Sequence, residues 1–342
     1  MPSIRGWRAE DVTDDAQSLR KRLRNAGLSA AAVDAAWPGW WTDDADSSPS
    51  ARAELRFALA RNLGLSAKAL VGERVDFVWR DSARFKHLAD CDAGDRAALN
   101  SFGASVGRLL MRATEGGPGL VGIPAVKLRA MLLGGSSAVE LVGLLAACWS
   151  AGIPVAYLRV SPLPTKSMHA MVVGNAGRHA ILLSRDARYP AITAFTLAHE
   201  IGHVALGHVR GADIIVDAED PARGADGDEE ERAADRYALE LLMGSAEPTI
   251  SINFDTFNSA ELADAALRAG PEYGIDPGTL ALAVAYQRNA YPVAMAAMRF
   301  IYTNPSPVWL AVNRVASRHL RLDTAGDDGA EFLARVLGLA SA

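Results

Sequence analysis

Cysteine is scarce: Cys91 and Cys148 are the two in 342 residues. That number is too small for a disulfide scaffold, and both are read as small buried side chains in a reducing cytoplasm. Long hydrophobic runs are missing as well. Nowhere do about 18 apolar residues follow one another, which argues against a membrane-spanning helix. The opening Met-Pro-Ser-Ile-Arg-Gly-Trp-Arg-Ala-Glu-Asp has no apolar core of the signal-peptide kind, so a cytoplasmic location is expected. Positive charge is in deficit, with 35 Lys and Arg against 40 Asp and Glu and a formal net charge of −5. The chain as a whole therefore exerts no attraction on nucleic acid. There is no internal repeat and no phosphate-binding loop. What is present is apolar material: 50% of the residues are hydrophobic, enough for a substantial core in two or three domains or subdomains.

Residues 1–74 read as a helical domain. Leu19, Leu23 and Leu28, then Leu55, Leu59, Leu63 and Leu70, recur at helical spacing. The flanks, Leu-Arg-Lys-Arg-Leu-Arg-Asn-Ala-Gly-Leu-Ser and Leu-Ala-Arg-Asn-Leu-Gly-Leu-Ser, resemble the first and last helices of a small repressor-type helix-turn-helix domain. Between them, where a recognition helix belongs, lies Trp37-Pro-Gly-Trp-Trp-Thr-Asp-Asp-Ala-Asp-Ser-Ser-Pro. A DNA reader needs Arg, Lys, Asn or Gln at that place, so the domain is read as degenerate, with DNA binding possible but not favoured. Residues 75–137 read as a helical linker region, broken by Gly-Gly-Pro-Gly at 116–119.

A core follows at 138–245. Its first helix stops at Ala151-Gly152-Ile-Pro154. Three short apolar runs come next: Val155–Val160, His169–Val173 and His179–Leu183. The last two flank a hairpin loop at Gly174-Asn-Ala-Gly177. Strands followed by a helix predict an α+β unit with a small sheet over that helix. An acidic loop reaches about Asp228, a second helix spans roughly 229–243, and residues 246–342 read as a helical C-terminal domain with a turn at Gly274-Ile-Asp-Pro.

The helix after the strands carries Thr196-Leu-Ala-His199-Glu200-Ile-Gly-His203. Histidines four apart share one helix face and can bind one zinc ion, while Glu200, about 100° around the axis, can reach a water on that metal. A catalytic zinc takes three protein ligands, so a third is needed. His208 fails the metzincin spacing, which requires Gly at 206 and His at 209 where this chain has Leu206 and Val209. It is read instead as a histidine near the helix C-terminus, in a favourable dipole. Among Glu229, Glu230 and Glu231, only Glu231 has a carboxylate four residues on, at Asp235. The stripe with Ala234, Ala238 and Leu241 points inward, and Ala234 leaves room for close helix approach. Glu231 is thus the candidate third ligand, with Asp235 accepting the free ring N–H of a ligand histidine. Zinc so held would activate a water, and Glu200 would take its proton and pass it to the leaving amine. Tyr237, six positions past Glu231, lies off the ligand face and reads as structural.

The string Phe195-Thr-Leu-Ala-His-Glu-Ile-Gly-His203 with Gly-His208, then Glu-Glu-Arg-Ala-Ala-Asp-Arg-Tyr-Ala-Leu-Glu-Leu-Leu-Met243, resembles the ImmA/IrrE family of zinc metallopeptidases. The resemblance covers roughly residues 138–245, with Gly244 standing where the family commonly has Pro. It implies a zincin-like core and a bacterial or phage-encoded protease that cleaves a helix-turn-helix repressor or antitoxin under DNA damage or related stress. The alternative is a zinc-containing regulator that acts by binding a partner or DNA with little proteolysis.

Overall fold

The structure, a computed structural model, describes residues 15–79, 83–86, 93–164, 168–185, 187–211, 213–217, 229–250, 257–303 and 306–339. The opening residues 1–14, Cys91 and the acidic stretch 218–228 lie outside the described residues.

The chain begins with helices α1 (Ala16–Asn25), α2 (Ala30–Ala36), α3 (Pro49–Leu63) and α4 (Ala67–Val71). Asp15, Ser29, Ser48 and Ser66 each accept a hydrogen bond from the main-chain N–H three residues on, satisfying donors that a helix start leaves orphaned. At the place of the missing recognition helix, Asp43–Ser47 form a short 3₁₀ turn whose first turn holds Asp43, Asp44 and Asp46. Trp37 is buried, with the Arg20 guanidinium 3.7 Å over its ring.

Next come β1 (Ala83–Lys86), α5 (Ala93–Arg112), α6 (Ala125–Leu133), α7 (Leu141–Ser150), β2 (Val155–Tyr157), β3 (Ala170–Asn175), β4 (Arg178–Leu183), α8 (Pro190–Ala205), β5 (Ile214–Asp217) and α9 (Glu229–Met243). The five strands form one sheet in the order β1-β5-β3-β4-β2. The β3–β4 hairpin turns through Ala176 and Gly177, both at positive φ (50° and 78°), the combination that suits a two-residue turn to the strand twist. β2 joins β4 in parallel, β5 joins β3 antiparallel, and β1 joins β5 in parallel. The sequence reading places only the strands at 155–183. β1 falls in the segment read as a helical linker and β5 in the segment read as an acidic loop, and both readings are corrected here. Each strand is four residues long, too short for a periodic signal, and its form comes from pairing with the sheet.

The sheet's two faces feed two cores, as period-two alternation requires. Met171, Val173, Ala180, Leu182, Ile214 and Val216 face α5 and the N-terminal helices. Ala170, Val172, Ile181, Leu183 and Ile215 face α7, α8 and α9. A Cβ on Gly107 of α5 would lie 2.8–2.9 Å from the Val173 side chain, so glycine sets how closely α5 lies on the sheet. The α+β expectation, with a small sheet over the α8 helix and helical flanks, is met.

The C-terminal stretch forms α10 (Ser259–Tyr273), α11 (Pro277–Arg288), α12 (Tyr291–Ile301), α13 (Val308–His319) and α14 (Asp327–Leu337). The expected turn is present: Gly274 closes α10 in the left-handed region and Asp276 caps α11 through the Thr279 N–H. The stretch does not pack as one unit, however. α10–α12 bury Leu262, Ala266, Ala281 and Met298 in a core of their own. Val308 and Val312 of α13 join the α8 side of the sheet, while Phe332, Leu333 and Val336 of α14 join the α5 side. Asn313 of α13 accepts from the Tyr157 N–H (2.7 Å) and donates to the Tyr157 carbonyl (2.8 Å), closing the outer edge of β2. Arg129 of α6 donates to the carbonyls of Leu241, Leu242, Tyr273 and Gly274, and so ties the ends of α9 and α10 together. Cys148 is buried in α7, and burial pushes its thiol up to about 12. Among the described residues no helix is long and apolar enough to cross a membrane.

Candidate metal centre

α8 enters through Pro190 at its first position and runs through the interior, with Thr196 to Ala205 all buried. A helix apolar on nearly every side belongs in a core, and its polar residues there need partners. His199, Glu200 and His203 are 1%, 0% and 0% exposed. The Nε2 atoms of the two histidines converge to 3.0 Å, as their spacing on one helix face predicts.

The third group comes from α9, which lies alongside. Burial chooses among the three glutamates that open it. Glu229 is exposed and pairs with Arg232 and Arg236 at 2.9 Å each, whereas Glu231 is 7% exposed. Its Oε2 lies 3.3 Å from His199 Nε2 and its Oε1 3.4 Å from His203 Nε2. Burial alone would raise the Glu231 carboxyl, yet the His199 and His203 rings beside it favour its charged form and hold it well below the usual carboxylate range. The helices can approach this closely because Gly202 faces Ala234. A Cβ at Gly202 would lie 3.1 Å from the Ala234 carbonyl oxygen and 3.2 Å from Tyr237 Cβ. The sequence reading anticipates Ala234 in this role but not Gly202.

The outer hydrogen bonds define what the inner atoms can do. Asp235 Oδ1 lies 2.8 Å from His199 Nδ1. A carboxylate only accepts, so His199 carries its proton on Nδ1 and turns a lone pair inward from Nε2. His203 Nδ1 lies 3.0 Å from Nδ1 of His208. His208 is therefore more than the dipole-facing histidine of the sequence reading. Gly207 turns the chain back at φ 71°, the His208 N–H bonds the His203 carbonyl at 3.0 Å, and the ring comes to lie beside that of the second histidine. Gly-His directly after a helix end was the available signal, since a left-handed glycine folds the next residue over the last turn.

His199, His203 and Glu231 are a buried group whose ligating atoms could hold a metal ion. Two imidazoles and a carboxylate suit zinc, and tetrahedral bonds of about 2.0–2.1 Å put neighbouring ligand atoms about 3.3 Å apart. The observed separations of 3.0–3.4 Å fit that edge length. Lone pairs this close repel unless a cation lies among them. Glu200, the neighbour of His199 on α8, is fully buried beside this group. Tyr237 donates its hydroxyl to the Ile123 carbonyl at 2.9 Å and is buried, so it braces α9 as the sequence reading expects.

The chain matches the family model described as the IrrE N-terminal-like domain, a peptidase family, over residues 148–263. No curated protein and no solved structure matches it. The matched segment holds every residue of the centre, from His199 to Asp235, and agrees with the resemblance read from the two helices. Residues 148–263 of this chain are therefore similar to the IrrE N-terminal-like peptidase domain, in keeping with a metallopeptidase-type domain there.

Proposed function

We propose that the chain is a zinc-dependent endopeptidase whose substrate is a helix-turn-helix repressor or antitoxin, cleaved in a stress or phage-related response. The observation that carries the reading is the convergence of His199, His203 and Glu231 to 3.0–3.4 Å around one point, next to a buried glutamate. When bound there, zinc supplies Lewis acidity that lowers the pKa of a water toward neutrality and polarises a scissile carbonyl. Glu200 accepts the proton of the attacking water and delivers it to the leaving amine. Asp235 and His208 hold the two imidazoles in orientation through their Nδ1 atoms. Seclusion from bulk water strengthens each of these electrostatic contacts.

A substrate strand that pairs with the sheet would use the outer edge of β1. The opposite edge is closed by Asn313 and by the Val336 carbonyl, which accepts from Arg159 and Val160 at 2.8 and 3.3 Å. Backbone pairing of this kind gives affinity, and side-chain pockets add specificity. The competing DNA-binding reading rests on Arg20-Lys-Arg22-Leu-Arg24. Arg20 is engaged with Asp34 and Trp37, and Arg22 with Glu73, so two of the run's four cations are already neutralised within the fold and less charge is left for a phosphate backbone.

Co-expression with the repressor or antitoxin encoded beside it, followed by intact mass measurement of that partner, tests the reading. The wild-type chain is expected to shorten the partner to two fragments, and Glu200→Gln to leave it whole while zinc stays bound. Full biological function of Glu200→Gln would overturn proteolysis in favour of a regulator that works by binding.

A further inference from the structure

An unassigned cavity lies on the other side of the sheet from the metal centre. It has a volume of about 720 Å³ and opens between α3, α5 and the β3–β4 turn, within the size range of small-molecule sites. Four arginines line it: Arg61, Arg108, Arg112 and Arg178. In a chain of net charge −5, this is a concentrated positive surface.

Arg61 is balanced by Asp328 at 2.9 Å. The other three have neutral partners among the described residues. Arg112 donates to the Ala325 carbonyl, and Arg178 to the carbonyls of Thr114 (2.9 Å) and Glu115 (3.4 Å). Arg108 stacks on Trp79, its guanidinium carbon 4.4 Å from the ring centroid. The Nε atoms of Arg108 and Arg178 are buried without a hydrogen-bond partner. Carboxylates nearby are already engaged, Asp328 with Arg61 and the Glu115 side chain with Arg321 at 2.8 Å. Burial disfavours the charged form of Arg108 and lowers its pKa. Like charges gathered around one void are stabilised by an anion, and guanidinium is the side chain best shaped for phosphate. The walls are also aromatic: Trp79 lines the cavity, and Phe57 stands 53% exposed at its rim.

We propose that this cavity binds a nucleotide, with its phosphates held by Arg108, Arg112 and Arg178 and its base against Phe57 and Trp79. Phosphate alone would leave the aromatic wall unused, and a base alone would leave the arginines unneutralised.

Calorimetric titration of the full chain with ADP, adenosine and pyrophosphate tests the assignment. ADP is expected to bind saturably at one site per chain, with adenosine and pyrophosphate each at least tenfold weaker. Arg108→Met is expected to weaken ADP at least tenfold. Asn175→Asp, which places a carboxylate at the cavity wall at the end of β3 without removing packing, is expected to do the same while the zinc content stays that of the wild type. Absence of saturable ADP binding would overturn the proposal. So would pyrophosphate binding as tightly as ADP, or an ADP affinity unchanged in both variants. Binding of single-stranded oligonucleotides but not of ADP would overturn it in favour of a polymer-binding surface.

Discussion

Nδ1 of His203 lies 3.0 Å from Nδ1 of His208, five residues further along and past the end of α8. This contact places the second metal-site histidine under the same kind of control that Asp235 exerts on the first at 2.8 Å. Groups that orient ligating histidines typically contribute about 10–100-fold to metal affinity or activity. His208→Phe, which keeps a ring in place but removes the nitrogen, is expected to weaken zinc binding within that range in a chelator competition. Asp235→Asn should fall in the same range, and an affinity equal to wild type in either variant would count against the orienting role.

Helix spacing sets where Glu231 can stand. Gly202 meets the backbone of Ala234, where a Cβ would be 3.1 Å from the carbonyl oxygen. Gly202→Ala should push α9 outward by a few tenths of an ångström and weaken zinc binding by about tenfold, comparable to the loss of an orienting group. Gly202→Val should be worse. Chelator competition on both variants checks the order wild type, Ala, Val.

At β2 itself, a single side chain closes the edge. Asn313 is 1% exposed and satisfies both main-chain groups of Tyr157 as well as donating to the Leu337 carbonyl at 2.6 Å. Leaving a buried polar group unpaired costs about 1–3 kcal/mol. Asn313→Leu is therefore expected to lose about 2–4 kcal/mol of stability, read as a lower denaturation midpoint in urea.

Cys148 should be chemically silent in the folded chain. The thiolate is the reactive form, and burial raises this thiol to about 12. Native protein treated with iodoacetamide at neutral pH should show no alkylation of the peptide containing Cys148. Complete alkylation should follow in denaturant, with mass spectrometry as the readout.

How far the chain can be read without coordinates depends on the range of each interaction. His199 and His203 were legible because both belong to one helix, where spacing alone fixes the face. Glu231 was legible through Asp235, four positions on, and through the apolar stripe they share, and α9 places that stripe inward as read. His208 stands outside the metal-holding group, as its spacing indicates, but its contact with His203 depends on Gly207 redirecting the chain and is not legible from a fixed template. β1 and β5 were invisible because strands of four residues exist only through their partners. The same holds for the split of α10–α12 from α13 and α14: apolar stripes show that a helix packs, not which core receives it. The arginine cavity brings together residues from Phe57 to Arg178, and no local pattern marks it.

The metal content of two glutamate variants after dialysis, measured by elemental analysis, tests the centre most directly. Glu231→Gln keeps the shape of the side chain and removes its charge, whereas Glu229→Gln changes an exposed residue paired with Arg232 and Arg236. One zinc per chain in the wild type and in Glu229→Gln, with zinc lost from Glu231→Gln, is the predicted result. A wild-type chain that retains no zinc, or a Glu231→Gln chain that holds it as firmly as wild type, would contradict the centre described here.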